Sequence, residues 1–89
     1  VKERYSLSKK EKQLQAMRNN PQNVRFETLQ RIFLDHGFVE TSPGGGSSHY
    51  TYHKGIYRIT VVKDKPVNKI YVKRAIEIID TIRKSEEEL

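Results

Sequence analysis

His49 follows the run Gly44-Gly45-Gly46-Ser47-Ser48 and opens the stretch His49-Tyr50-Thr51-Tyr52-His53. The alternation of aromatic and polar residues there is that of a strand with one buried face. Imidazole exchanges protons near neutral pH. Beside the hydroxyls of Ser47, Ser48, Thr51 and Thr60, and near Arg58, His49 has the parts for metal-independent cleavage of a phosphodiester by a neighbouring 2′-hydroxyl. That chemistry needs one group to move a proton at the attacking or leaving oxygen, and donors to hold charge on the phosphate. The plainer alternative is a polar histidine on an open sheet face.

Other constellations carry less. His49 and His53 would be adjacent metal ligands on a helix, but on a strand four residues span roughly 13 Å, too far to share one ion. With no cysteine and no nearby carboxylate cluster, neither a metal site nor a cofactor is expected. The glycine run lacks the lysine followed by serine or threonine, and the helix start, of a nucleotide-binding loop. His36 stands where a helix ends and reads as structural. Tyr50, Tyr52 and Tyr57 alternate with polar residues and read as core rather than as base-stacking rings. Lys63, Lys65, Lys69, Lys73 and Arg74 cluster between a strand and the last helix and are candidate phosphate contacts, against the alternative of a solvated basic rim.

The elements that must position these residues follow from spacing. Ser8 followed by Glu11 suggests a capping box for a short helix reaching Arg18, whose apolar face (Leu7, Leu14, Met17) is thin enough that it either docks or frays. Asn19-Asn20-Pro21-Gln22-Asn23 is a linker. Phe26, Leu29, Ile32 and Phe33 predict a helix closed by Gly37, and Phe38–Ser42 a short strand. Two further strands, His49–His53 and Ile56–Val62, flank Lys54-Gly55 as a hairpin loop. That loop would pair Tyr52 with Tyr57, Tyr50 with Ile59, Thr51 with Arg58 and His49 with Thr60. Tyrosines and isoleucine then face the helices, leaving His49, Thr51, His53, Arg58 and Thr60 on the open side. Val72, Ala75, Ile76, Ile79 and Ile82 form the stripe of a final helix running into Glu86-Glu87-Glu88.

The expected fold is α+β: a two-layer sandwich of order α-β-β-β-α with a three-stranded antiparallel sheet, as in double-stranded-RNA-binding domains, plus an extra N-terminal helix. With 89 residues, no cysteine and 35% hydrophobic content, the chain supports one modest core and no disulfide framework. No apolar run approaches a membrane span, so a cytoplasmic protein without membrane partner is expected. Charge is segregated. Residues 1–25 hold seven basic and two acidic groups, 26–48 one and three, 49–74 seven and one, and 75–89 two and five. Basic segments of this kind suit a polyanion such as nucleic acid, or simply a well-solvated surface.

Asn19-Asn20-Pro21-Gln22-Asn23-Val24-Arg25-Phe26, a helix ending in His36-Gly37-Phe38, and Gly46-Ser47-Ser48-His49-Tyr50-Thr51-Tyr52 together resemble the HicA family of bacterial toxins, over about residues 14–82. The resemblance implies a double-stranded-RNA-binding-like fold, metal-independent cleavage of messenger RNA and a cognate HicB-type antitoxin as protein partner. It maps the family's essential histidine onto His49 and its motif glycine onto Gly46. Many members have a tandem histidine pair where Tyr50 follows His49 here, which leaves water, Ser48 or the leaving group as proton partner.

The domain reading is therefore a basic N-terminal helix and linker (1–23), a HicA-like ribonuclease domain (24–85) and an acidic tail (86–89). The expected function is a toxin-type endoribonuclease with His49 as general base or acid, and Gly46, Ser47, Ser48, Arg58 and Lys73 contacting RNA. The alternatives are a non-catalytic RNA-binding module of the same topology and a protein-interaction domain.

Overall fold

The computed structural model describes residues 9–42 and 48–87. In chain order they form α1 (Lys9–Asn19), α2 (Phe26–Asp35), β1 (Val39–Thr41), β2 (His49–Lys54), β3 (Tyr57–Val62) and α3 (Lys69–Glu87). The strands make one open antiparallel sheet in the order β1-β2-β3, so the chain is α+β with three strands and three helices among the described residues.

Helices α2 and α3 bury their apolar stripes against one face of the sheet, and α1 packs on those two helices. Phe26, Leu29, Ile32 and Phe33 of α2 and Val72, Ala75, Ile76, Ile79 and Ile82 of α3 join Tyr52, Ile59 and Val61 in a single core, as their spacing requires. Phe33 anchors its centre, stacked on Tyr52 at 4.5 Å between ring centroids and meeting Phe38 edge-on at 5.0 Å. Gly37, with φ of 88°, supplies the left-handed residue that turns the chain from α2 into β1. The freed carbonyls at that helix end are met by lysines. Lys54 Nζ donates to the His36 carbonyl at 2.7 Å and Lys10 Nζ to that of Asp35 at 3.3 Å. His36 closes the same turn, its Nδ1 2.8 Å from the Ile32 carbonyl oxygen, in the structural place expected of it.

The N-terminal helix docks rather than frays. Leu14 and Met17 are 2% and 1% exposed, which two residues alone would not secure. Ion pairs add to that burial: Arg18 forks onto Asp80 of α3 through both terminal nitrogens, and Arg83 of α3 reaches Glu11 at 3.2 Å. The capping box proposed at Ser8 lies outside the described residues. At the other end, α3 extends to Glu87, so the first residues of the acidic tail are helical and Glu86 lies 3.7 Å from Lys54. No helix is long and apolar enough to cross a membrane among the described residues.

The Arg18–Asp80 pair carries a pH signature. Hydrogen bonding to Arg18 holds the Asp80 carboxyl below its ordinary pKa, and the same bond raises that of Arg18. A depressed carboxylate stabilises the fold above its unfolded pKa, and that contribution is lost as pH falls through the folded value. Both side chains are more than a third exposed, so water screens the pair. Replacing Arg18 by Ala is expected to cost about 0.5 kcal/mol from the pair at neutral pH. In urea unfolding at stepped pH, the gap between parent and variant should narrow as the carboxylate protonates; a gap independent of pH would contradict the assignment.

Candidate active site

The open face of the sheet is set by β2. Alternate residues of a strand point to opposite sides, so burying Tyr52 sends His49, Thr51 and His53 to the other face. Pairing adds Val39 and Thr41 from β1, and Arg58, Thr60 and Val62 from β3. This partition of residues between the two faces is as expected from the sequence.

The register is not as expected, and the difference moves a candidate site residue. Tyr52 pairs with Ile59, Tyr50 with Val61, Thr51 with Thr60, and His49 with Val62, two residues further along β3 than the Lys54-Gly55 loop implied. The loop is instead Gly55-Ile56, closed by Lys54 opposite Tyr57. Gly55 has φ of 59° and no other residue than glycine has positive φ among those described. Positive φ at the first loop position only is the type II′ hairpin, which wants glycine there. A Lys54-Gly55 loop of the alternative primed type would have forced positive φ on lysine. A slip of two residues leaves every side chain on its own face, which is why the face assignment survives.

Three rows cross the open face. Val39, His53 and Arg58 form the first, next to the hairpin loop. Thr41, Thr51 and Thr60 form the second, with Thr51 Oγ1 2.9 Å from Thr60 Oγ1 and Thr41 Oγ1 donating to the Thr51 carbonyl at 3.4 Å. His49 and Val62 form the third, at the end where the glycine-serine segment joins. His49 is exposed there, and its strand end is held by the Lys63 amide donating to the Ser48 carbonyl at 2.8 Å.

Arg58 therefore does not stand near His49. It shares a row with His53, about 13 Å along the strand direction from the His49 row. Lys73 is not gathered either, because it is exposed on α3 in the helical layer, behind the sheet from His49. Ser48 lies beside His49, whereas Gly46 and Ser47 lie outside the described residues. Tyr50 turns inward, its ring tilted against Phe26 at 4.9 Å, so it presents no hydroxyl partner on the His49 side. Tyr50 and Tyr57 are half-buried against the core and Tyr52 is fully buried, as expected of core tyrosines.

The structure adds Thr41, which spacing alone could not place because the register of β1 was open. Glu40, its neighbour, faces the core and accepts from Tyr52 at 2.6 Å and Gln30 Nε2 at 2.6 Å. No carboxylate thus points from the described strands into the open face. A row of hydroxyls leading to an imidazole, with no anionic side chain among them, is chemically fitted to hold an anion and move a proton beside it. No group of three potential metal ligands occurs among the described residues.

None of the protein-family models, curated proteins or solved structures compared with this chain matches it.

The hairpin turn depends on the left-handed backbone of Gly55, and substitution there tests it. A Cβ added there meets nothing within 4 Å, so the cost of Gly55→Ala is backbone strain alone. A loss of about 1–2 kcal/mol in urea unfolding is expected from forcing alanine into left-handed backbone. An unchanged midpoint would mean that Gly55 does not take left-handed backbone.

Proposed function

We propose that the chain is a toxin-type endoribonuclease of double-stranded-RNA-binding-like topology, cleaving messenger RNA without a metal and using His49 as general base or acid. The observation that carries the reading is the exposed His49 next to the row of threonine hydroxyls, on a sheet face into which no carboxylate of the described strands points. The resemblance of the Gly46-Ser47-Ser48-His49 segment to the HicA motif supports it. A HicB-type antitoxin is then the protein partner, covering the same face to keep RNA away.

The reaction is a transesterification. The ribose 2′-oxygen forms a bond to phosphorus as the bond from phosphorus to the 5′-oxygen breaks, leaving a 2′,3′-cyclic phosphate and a free 5′-hydroxyl. One proton leaves the 2′-hydroxyl and one arrives at the 5′-oxygen. His49 is the side chain placed to handle either, and the Thr51 and Thr60 hydroxyls are donors for the substrate's phosphate and ribose oxygens. His53 lies a further four residues along β2 and serves a different group from the one His49 serves. With a single imidazole at the reacting end, water, Ser48 or the leaving group completes the proton transfer.

Three readouts on purified protein test this. The parent should cut an oligoribonucleotide to cyclic-phosphate ends in the presence of EDTA. A substrate with 2′-deoxyribose at the cut position should resist. His49→Ala should lower the rate by about 10²-fold or more while unfolding at the parental midpoint, since an exposed sheet side chain holds little of the fold. Expressed in bacteria, the parent alone should arrest growth with loss of messenger RNA. Parental cleavage by His49→Ala would overturn the assignment. RNA binding without cleavage by either protein would leave the non-catalytic module.

A further inference from the structure

We propose that the cleft between the start of α2 and the β3–α3 connection is a second RNA contact, holding the phosphodiester backbone of the strand that reaches His49. The inference rests on the ribonuclease reading for the identity of its ligand and goes beyond it in naming where the flanking strand runs. The cleft measures about 750 Å³ and is lined by Arg25, Phe26 and Glu27 on one wall and Lys63, Asp64 and Lys65 on the other. Pockets of this size take a nucleotide-sized group.

Its walls are fixed before any ligand arrives. The Val67 amide donates to the Val24 carbonyl at 2.9 Å, and both valines are buried, at 1% and 4% exposure. This joins the segment before α2 to the segment after β3. Lys63 lies across the junction, its ammonium 5.4 Å from the centre of the Phe26 ring. The same residue's amide bonds Ser48, the neighbour of His49. The cleft and the imidazole therefore lie at the same end of the sheet, the cleft on its helical side and His49 on its open face, and a strand wrapping around that end touches both.

Charge allocation decides what the cleft holds. Among the described residues, ion pairs join Arg18 to Asp80, Arg83 to Glu11 and Lys54 to Glu86, which commits those carboxylates to the helical layer. Arg25, Lys63 and Lys65 have no ion pair among the described residues. Of the two carboxylates in the cleft, Asp64 accepts from the Lys65 amide at 2.8 Å, and Glu27 stands in the first turn of α2, where a helix favours negative charge. Three cations around a preformed cleft, next to a hydroxyl-rich face, suit a chain of phosphates: lysine as a point charge and arginine as a fork.

The test measures binding of a short, fluorescently labelled, single-stranded oligoribonucleotide by the His49→Ala chain over a series of salt concentrations. Each lost phosphate contact should flatten the slope of log K against log salt by about 0.7. Arg25→Ala with Lys63→Ala should therefore flatten it by about 1.4 and weaken binding at low salt at least tenfold. Arg25→Lys with Lys63→Arg should retain most of the slope, which separates charge from misfolding. Lys84→Ala, exposed near the far end of α3, should leave it at the parental value.

A parental slope in the double alanine variant overturns the cleft. Cleavage by the His49-containing chain, measured alongside, separates the two ideas. Cleavage with a parental slope in the double variant removes the cleft and keeps the enzyme. A flattened slope without cleavage in the parent keeps the cleft and removes the enzyme. No RNA binding at any salt overturns the cleft as an RNA contact.

Discussion

The phenol of Tyr52 donates to Glu40 at 2.6 Å beneath α2, with Gln30 of that helix donating to the same carboxylate oxygen and Phe33 stacked on the tyrosine ring. One fully buried residue on the middle strand thereby ties β2 to β1 and both to α2. Burial first, and then the adjacent Glu40, push the phenol's pKa upward, so it remains a protonated donor. The rest follows from the pleat. With Tyr52 turned inward, His49, three residues earlier, must turn outward. The same alternation that completes the core exposes the imidazole.

An inward polar bond of this kind is costly unless every partner is in place. Glu40 is the one carboxylate of the described strands, and facing the core it stays off the threonine row. Held by Tyr52 and Gln30, its charge is spent inside the sandwich. The ion pairs from α1 to α3 place Glu11 and Asp80 in the helical layer in the same way. From the described strands, the open face of the sheet then shows to solvent imidazole, hydroxyl and guanidinium but no carboxylate.

Much of this was legible in the residues, for identifiable reasons. The stripes of α2 and α3 are dense enough in leucine, isoleucine and phenylalanine that their buried faces could be named residue by residue. Strand alternation separated Tyr52 from His49 without any knowledge of pairing. Register was harder, because a glycine in a two-residue loop can occupy either position. Only the backbone shows that Gly55 takes the first, carrying Arg58 away from His49. Lys73 illustrates a related point: nearness in sequence to a basic cluster says nothing about which layer a helix face occupies. The docked α1 adds pairs from Arg18 and Arg83 to acids 62 and 72 residues away, a pairing that no local pattern encodes.

The central claim is that RNA meets this protein on the open face at the His49 end of the sheet. It is tested most directly by amide chemical shifts of the isotope-labelled parent chain, titrated with an oligoribonucleotide carrying 2′-deoxyribose at the cut position so that it is bound but not cleaved. The account predicts shifts at Ser48, His49, Thr51, Thr60 and Lys63, with α1 and the C-terminal half of α3 undisturbed. Shifts confined to the outer surfaces of α1 and α3, with the strand amides unmoved, would contradict it.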